Sequence, residues 1–469
     1  MRRIQYPVAL ILAAFLYLPI LAQTRWNHGR IRVSTDAHTL ETSDGKAFFW
    51  LGDTAWELFH RLNFEEIQFY LKDRASKGFN VIQAVVLAEN DGLTKPNQYN
   101  SLPLKNLNPE APNERYFTLI DTTIRMAAEL DMFVALLPTW GDKVAKEWGN
   151  GPVVFNVKNA YAYGKWLGNR YRNDENIIWM LGGDRPAKKD TSDWRPIWRE
   201  MARGIREATN YQAFITYHTS GGESSSKHLH NEAWLNMNTL QSGHGSGHDV
   251  PVWEMIERDY KLPSPKPTLD AEPNYEDHPV DPWPKWNPNN GFYTDYDVRK
   301  QAYRSVFAGG CGVTYGHHGV WQFYSEREEP ITHADWSWTA GLDRPGSYQM
   351  GFLKKVIESR PFSGRIYDPM MITEGQGVKG EFITAFRSSN NDYAMIYMPV
   401  GKTIKVNTSF MKSSDVKIWF YDPRVGHVMR GISTYRGNVL EIKPPSLGAG
   451  QDWVIILDNP DYQYRPPGE

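Results

Sequence analysis

The sequence contains a single cysteine, Cys311, among 469 residues, so it cannot form an internal disulfide framework. Its formal net charge is −2, and it therefore lacks the basic excess that a nucleic-acid partner requires. The sequence has no Gly-rich phosphate loop, no Gly-x-Ser-x-Gly nucleophile elbow, no internal repeat and no low-complexity tract. These absences argue against a disulfide scaffold, a nucleic-acid-binding protein and a nucleotide-dependent enzyme, and we expect no cofactor.

Long hydrophobic runs are also scarce, and the one at the N-terminus is short. Two arginines precede an apolar run at residues 8–18, and Ala22 offers a cleavage point. This is the pattern of a secretory signal peptide, and the run is too short to span a membrane comfortably. We predict that residues 1–22 are a signal peptide and that the protein is periplasmic or secreted. No cysteine follows the cleavage site to carry a lipid, so we expect no membrane anchor.

Beyond residue 46, short apolar segments alternate with helical patterns, which is typical of repeated β/α units. We predict a (β/α)₈ TIM barrel over residues 23–365, with its active face at the C-terminal ends of the strands. A doubly wound sheet is the alternative, but it would not need every strand to end in polar and aromatic residues. The predicted strands are 47–56, 80–88, 132–140, 177–184, 213–220, 234–242, 267–276 and 311–319, and helical patterns between them include 65–79, 116–131, 157–172 and 297–309.

The pattern changes near residue 366. The runs "FITAFRS", "YAMIYMPV", "VKIWFYDPR" and "DWVIILDN" are short, rich in β-forming residues and separated by turn signals such as "SSNND". No helical periodicity lies between them. We therefore predict a small antiparallel β-sandwich over residues 366–469.

Two predicted strands end in carboxylates. The segment "IIWMLGGDRP" (177–186) ends in two glycines and Asp184, and "DAEPNYE" contains Glu272. Catalytic groups of barrel enzymes lie at such strand ends. The alternative roles are a helix cap or turn for Asp184 and a structural ion pair with Arg185 for Glu272.

The positions of these carboxylates in the barrel favour a catalytic role. Strands four and seven face each other across an eight-stranded barrel, so Asp184 and Glu272 are expected to oppose each other across one pocket. Glycosidic cleavage needs such a pair, with one acid at the leaving oxygen and a second carboxylate that attacks or stabilises the sugar cation. The sequence therefore predicts a glycoside hydrolase, although it does not give the distance between the carboxylates.

Other strand-end residues are candidates for holding a sugar. Four large aromatic side chains could form stacking walls, with ordinary core packing as the alternative for each. Polar side chains could bind sugar hydroxyl groups. The predicted substrate-binding residues are Asp53, Trp56, Gln83, Trp140, His218, Tyr275, His317 and Trp321.

Four segments resemble a known family. They are "LGDTAWELFHRL", "IIWMLGGDRP", "DAEPNYE" and "RKQAYRSVFAGGCGVTYGHHGVWQF", and they resemble the apiosidase-like enzymes of glycoside hydrolase family 140 over nearly the whole mature chain. Those enzymes belong to a clan of retaining TIM-barrel glycosidases and usually carry a C-terminal sandwich of the collagen-binding-domain type. The resemblance implies that Asp184 is the general acid/base and Glu272 the nucleophile. Many clan relatives have Asn-Glu at the strand-four position, so Asp184 departs from the wider clan while matching the family.

The resemblance also implies a substrate, namely apiose linked to galacturonic acid in the pectin rhamnogalacturonan II. A galacturonate carboxylate would call for a cationic partner near the barrel mouth. The candidates are Arg185, Lys143, His218, His317 and His318, each of which could instead be structural or solvated.

Two further readings remain open. The sequences "HLH" (228–230) and "HGSGH" (244–248) invite a metal, but a metal-dependent barrel hydrolase would carry His-x-His at the end of its first strand, where this chain reads "GDTAW". We therefore predict no metal. The sandwich suggests a non-catalytic carbohydrate or collagen binder, against which the two carboxylates argue. The oligomeric state is not indicated by the sequence.

Overall fold

The structure is a computed structural model that describes residues 26–411, 413, 415–431 and 438–469. The predicted signal peptide, residues 1–22, lies outside the described residues. Within the described ranges, no helix has both the length and the apolar character needed to cross a membrane.

Eight parallel strands form the barrel, and each lies within a segment that the sequence predicts. They are β1 (Trp50–Ala55), β2 (Val81–Val85), β3 (Phe133–Leu137), β4 (Ile177–Gly182), β5 (Ile215–His218), β6 (Asn238–Gln241), β7 (Thr268–Asp270) and β8 (Gly312–Tyr315). The order around the sheet is β5-β4-β3-β2-β1-β8-β7-β6, and the two-residue strand Glu223–Ser224 pairs antiparallel with β6. The predicted (β/α)₈ barrel is confirmed.

The barrel closes between β5 and β6 without a regular ladder of backbone hydrogen bonds. Asn236 spans this seam, because its backbone N–H donates to Ile215 O at 2.8 Å and its side-chain Oδ1 accepts from Ile215 N at 2.8 Å. Thr216 Oγ1 also donates to Met237 O at 2.7 Å. Side chains thus replace part of the missing ladder, since buried backbone groups need partners.

Helices cover the outside of the barrel after seven of the strands, whereas β5 is followed only by the short helix Ser226–Leu229. The longer helices are α1 (Phe64–Ser76), α2 (Glu114–Glu129), α3 (Val157–Arg170), α4 (Arg195–Ala208), α5 (Val252–Tyr260), α6 (Asp295–Phe307) and α7 (Pro345–Glu358). Short helices lie at Leu58–Arg61, His318–Trp321 and Trp338–Gly341, a small antiparallel sheet at Ile31–Val33, Leu40–Thr42 and Ala47–Phe48, and a hairpin at Lys188–Lys189 and Ser192–Asp193.

The C-terminal part contains two antiparallel sheets, which confirms the predicted sandwich. The strands are β9 (Arg365–Tyr367), β10 (Ile372–Glu374), β11 (Thr384–Ser388), β12 (Tyr393–Met398), β13 (Ile404–Asn407), β14 (Lys417–Asp422), β15 (His427–Arg430), β16 (Val439–Ile442) and β17 (Trp453–Asp458). One sheet has the order β9-β11-β12-β17-β14-β15 and the other β10-β13-β16. A buried apolar cluster joins the two sheets, with Ile396 and Ile455 from one and Val406 and Leu440 from the other.

The six-stranded sheet packs its other face against α6 and α7. Phe307 of α6 and Tyr397 of β12 belong to the same buried cluster as the outer barrel core, and the rings of Tyr303 and Tyr397 stack at 4.8 Å. Arg299 of α6 forms a bidentate pair with Asp452, at 2.7 Å and 2.9 Å. Barrel and sandwich therefore share one apolar core that contains a buried ion pair.

Asp53 lies outside the reach of a substrate. Its Oδ2 accepts hydrogen bonds from Tyr70 Oη at 2.6 Å and Arg74 Nε at 2.7 Å, and all three side chains are fully buried between β1 and α1. Burial raises the pKa of Asp53, although Arg74 lowers it. The structure thus assigns Asp53 to the attachment of α1, in place of the predicted contact with sugar hydroxyls.

We expect Asp53→Ala to lower the free energy of unfolding by about 3 kcal/mol, because it removes the buried acceptor of Tyr70 Oη and Arg74 Nε and leaves the Arg74 guanidinium with Asp73 as its remaining carboxylate, 3.0 Å from Nη1. Urea unfolding followed by circular dichroism measures the change. The control Asp131→Asn removes the charge of a carboxylate that is 78% exposed, keeps a residue that tolerates the φ of 56° at this position, and should change stability by less than about 1 kcal/mol. Unchanged stability with a raised KM would contradict the structural role and restore the predicted sugar contact.

Candidate active site

A cavity of about 770 Å³ opens where the barrel strands end, a size typical of small-molecule sites. Asp184 and Glu272, from the ends of β4 and β7, both line it. The loops after β5 and β6 contribute a wall rich in serine and glycine, and tryptophans line other parts. Further lining residues include Glu89, Trp140, Trp148, Glu223, Gln241, His244, Tyr275, His278, Trp283 and Trp321.

The backbone at the end of β4 presents Asp184 through an unusual turn. Gly182, Gly183 and Asp184 have φ angles of 87°, 115° and 49°. A Cβ atom at Gly182 would lie 2.1 Å from His218 O, and one at Gly183 would lie 2.8 Å from Gly141 N. Only glycine fits these two positions. Asp184 does not cap α4, whose N-cap is Trp194; its positive φ continues the turn begun by the two glycines and places its carboxylate in the cavity wall.

The Asp184 carboxyl group accepts hydrogen bonds from two side chains and is mostly buried. Its Oδ2 accepts hydrogen bonds from Trp148 Nε1 at 2.9 Å and Arg185 Nη1 at 3.0 Å, and its side chain is 23% exposed. Burial, and next the negative charge of Glu272, raise the pKa of Asp184 despite the charge of Arg185. A carboxyl group with a raised pKa keeps its proton at higher pH, which a general acid requires.

Glu272 lies in a different environment. Its side chain is 8% exposed, its Oε1 lies 3.1 Å from His244 Nε2, and its Oε2 lies 3.0 Å from His218 Nε2. Burial alone would raise the pKa of Glu272, but the two imidazoles outweigh it, so that the pKa lies below its usual value. Glu272 is therefore held as a carboxylate anion.

His218 connects the two carboxyl residues. Its Nδ1 accepts a hydrogen bond from the backbone N–H of Asp184 at 3.2 Å. The neutral ring must therefore carry its proton on Nε2, the nitrogen next to Glu272. His218 is fully buried and contacts both catalytic candidates, although it was predicted to bind a sugar hydroxyl.

The structure brings most of the predicted aromatic residues to the cavity. Trp140, Tyr275 and Trp321 line it. Trp56 is buried behind them, with its Nε1 donating to Tyr275 Oη at 3.1 Å and its ring 5.1 Å from that of Trp140. Trp56 therefore supports the wall from behind.

Two further predicted residues lie away from the cavity. Gln83 is inside the barrel, where its Nε2 donates to Ala271 O at 2.9 Å and its Oε1 accepts from Thr314 Oγ1 at 3.1 Å. His317 contacts Asp277 at 3.0 Å through Nε2 and caps a short helix through Nδ1. Their polar atoms are used within the protein, so neither is placed to bind a sugar.

The cations proposed as partners of a galacturonate also lie elsewhere. Lys143 is fully buried against Asp142, with both carboxylate oxygens 2.8 Å from its Nζ. Arg185 is fully buried and pairs with Asp184 and Glu89, not with Glu272. In the described part of the chain the cavity wall includes none of the five proposed cations.

Sequence reasoning missed several residues of the cavity. Trp148 and Trp283 are 42% and 61% exposed and lie in the long loops after β3 and β7. His278 stacks on His244 with ring centroids 4.2 Å apart. A tryptophan in a polar loop, where core packing cannot explain it, was the available signal for the first two.

The histidine motifs do not converge on one point. His230 contacts Pro263 O at 3.0 Å, whereas His248 pairs with Asp297 at 3.0 Å. Among the residues that the structure describes, no group of three or more His, Cys, Asp or Glu side chains is arranged to hold a metal ion.

Comparison with known proteins identifies relatives over almost the whole chain. Residues 34–364 match the family described as "Apiosidase-like, catalytic domain", and residues 366–458 match "Putative collagen-binding domain of a collagenase". A glycoside hydrolase family 5 crystal structure from Bacteroides vulgatus superposes with a TM-score of 0.85 at 29% identity, covering 94% of this chain and 95% of that one. A second structure, titled glycoside hydrolase, gives a TM-score of 0.85 at 30% identity over 94% and 99%. No curated protein sequence matches significantly.

The catalytic-domain match spans more than half of the chain and contains both carboxyl residues that face the cavity. The solved relatives, with similar folds over nearly their full lengths, are glycoside hydrolases. The protein therefore belongs to the apiosidase-like family and is a glycoside hydrolase.

Proposed function

We propose that the enzyme cleaves its glycoside by double displacement, with Glu272 as nucleophile and Asp184 as general acid/base. The observation that carries this proposal is the contrast between two carboxyl groups of one cavity. Two imidazoles hold Glu272 as an anion and lower its pKa, whereas burial raises the pKa of Asp184. Opposite shifts of this kind support Asp184 as the acid and Glu272 as the anion of a glycosidase pair.

In the first step, a Glu272 carboxylate oxygen attacks the anomeric carbon, and the bond to the leaving oxygen breaks as Asp184 gives it a proton. The result is a glycosyl ester on Glu272 and an ionised Asp184. In the second step, Asp184 takes a proton from water, whose oxygen attacks the same carbon and expels the Glu272 carboxylate. Asp184 is then protonated again, so the cycle closes.

Glu272 loses its negative charge when the ester forms, and this loss assists the second step. While Glu272 is ionised, its charge contributes to the raised pKa of Asp184. Ester formation removes that charge and lowers the pKa of Asp184 at the moment when it must act as a base. His218 contacts both residues and holds them at a fixed separation.

For the substrate, we propose a pectic glycan with an apiosyl-galacturonate linkage. The apiosidase-like family match supports this assignment. The exposed tryptophans of the cavity offer flat faces for sugar rings.

We also propose that the enzyme acts in the periplasm or outside the cell. The support for this location is the signal-like pattern of residues 1–22. A pectic polymer is an extracellular substrate, so the location and the proposed substrate agree.

A panel of pectic oligosaccharides tests the substrate. We expect wild-type enzyme to release apiose from an apiosyl-galacturonate disaccharide, and to leave arabinan and galactan oligosaccharides unchanged over the same period. Product analysis by anion-exchange chromatography measures release. Cleavage of another linkage, with none of the apiosyl bond, would overturn the substrate assignment and leave the glycosidase assignment intact.

A further inference from the structure

Arg185 joins Asp184 to a second carboxylate beside the cavity. Its Nη1 donates to Asp184 Oδ2 at 3.0 Å and to Asp184 O at 2.8 Å. Its Nη2 donates to Glu89 Oε1 at 3.0 Å and to Trp148 O at 2.7 Å. The guanidinium is fully buried, so its charge acts on these two carboxylates with little screening by water.

Trp148 covers this arrangement. Its ring lies over the Arg185 guanidinium, 4.2 Å from ring centroid to Cζ, while its Nε1 donates to Asp184 Oδ2 at 2.9 Å. Both donors meet the same oxygen, Oδ2. A protonated Asp184 therefore carries its proton on Oδ1, since Oδ2 is committed as an acceptor.

The charges around Glu89 are mixed. Burial raises the pKa of Glu89 to about 7, with Arg185 opposing this shift and Asp184 and Asp142 adding to it. Lys143 is paired with Asp142, and its Nζ also lies 3.2 Å from the backbone O of Glu89. Glu89 thus gains its negative charge in the neutral pH range, where an acid catalyst begins to lose its proton.

We propose that Trp148, Arg185 and Glu89 are positioning residues that set the protonation of Asp184. Trp148 and Arg185 stabilise its carboxylate form through Oδ2. Glu89 pairs with the same guanidinium, and its negative charge offsets part of the positive charge that stabilises the Asp184 carboxylate. Asp184 therefore keeps its proton for the first step. This inference rests on the proposed role of Asp184 as acid/base.

Two substitutions should move the alkaline limb of the kcat/KM profile in opposite directions. Activity is lost as pH rises through the pKa of the acid, so the limb follows Asp184. Glu89→Gln keeps an acceptor for Arg185 but removes the opposing charge, and we expect the limb to move down by about one pH unit. Trp148→Phe keeps the ring but removes a donor to the carboxylate, and we expect the limb to move up.

Control variants distinguish an effect on the protonation of Asp184 from a general loss of activity. Glu89→Asp retains the charge and should return the limb toward its wild-type position. Trp336→Phe changes a tryptophan that is 41% exposed and lies over Arg344 outside the cavity lining, and should leave the limb in place. A fall in kcat with an unmoved limb in both Glu89→Gln and Trp148→Phe would overturn the proposal, as would shifts of the same sign.

A second readout needs no substrate. A water-soluble carbodiimide modifies protonated carboxyl groups, so the pH dependence of Asp184 labelling, read by peptide mass spectrometry, reports the pKa directly. The same opposite displacements are expected there. If Asp184→Ala retains the wild-type alkaline limb on the apiosyl-galacturonate disaccharide, the acid/base assignment fails. If that limb disappears but neither variant shifts the Asp184 labelling curve, only the present inference fails.

Discussion

Glu272→Gln should reduce kcat by roughly 10⁴-fold to 10⁶-fold, the range seen when a covalent nucleophile is removed. The amide keeps the size of the side chain and an oxygen acceptor for His244 Nε2, which lies 3.1 Å from Oε1. It removes the charge and the nucleophilic carboxylate on which the glycosyl ester depends. Steady-state kinetics on the apiosyl-galacturonate disaccharide, with circular dichroism to show that the variant is folded, measure the loss.

The order of the two displacements can be tested with Asp184→Ala and azide. With a leaving group that needs no proton, Asp184→Ala should still form the ester on Glu272 and then accumulate it. Azide should attack the ester and give a glycosyl azide of retained configuration, because two inversions have occurred. An azide of inverted configuration would contradict the covalent intermediate. Glu223→Gln, at another carboxylate that lines the cavity, serves as control and should change kcat by less than about tenfold.

Removal of residues 366–469 should leave a barrel that does not fold on its own. The outer face of α6 would lose the ring that stacks on Tyr303 at 4.8 Å, and Arg299 would lose both oxygens of Asp452. Arg299 keeps Asp295, 3.0 Å from its Nη1, and water reaches its guanidinium once the sandwich is gone, so the main cost is the newly exposed apolar face of α6, at about 25 cal/mol per Å². Soluble yield and thermal unfolding of the truncated chain measure the effect.

Point substitutions test the same interface in the full-length protein. Asp452→Ala should lower the free energy of unfolding by about 3–5 kcal/mol, and the protein should still unfold in one transition, because barrel and sandwich share a core. Lys405→Ala, at an exposed pair on the distal sheet, should change stability by less than about 1 kcal/mol. Two separate transitions, with a fully active truncated barrel, would show that the sandwich is an independent module.

The sequence predicted the barrel because its strands are continuous apolar runs, and buried parallel strands have that pattern. It placed Asp184 and Glu272 at one cavity because the ends of parallel strands meet on one face. Asp53 was assigned wrongly because the side chains of a strand alternate in direction. Trp50 Nε1 bonds to Thr314 on β8, whereas Asp53, three residues on, points toward α1, and strict alternation from Trp50 would have predicted that.

The remaining residues had no comparable pattern. Trp148 lies in a loop, where no periodicity relates sequence to position. The link from Glu89 through Arg185 to Asp184 joins the loops after β2 and β4, which flank β3 in the sheet, but the sequence does not show which side chains of two such loops meet. Packing between strands likewise decides which histidines meet Glu272, so the sequence pointed to His218 as a sugar-binding candidate and to His244 as part of a histidine motif but paired neither with Glu272.

The ring of His218 has a consequence for how such enzymes diversify. An imidazole is a rigid planar body, and here one edge meets the backbone of Asp184 while the other meets the carboxylate of Glu272. The distance between Asp184 and Glu272 is therefore set by a side chain at the end of β5. The loops that surround the cavity do not set it. The loop that carries Trp283 can therefore change in length and sequence to suit a different glycan while the spacing of these two groups stays constant, whereas the loop that carries Trp148 is tied to Asp184 by the indole N–H.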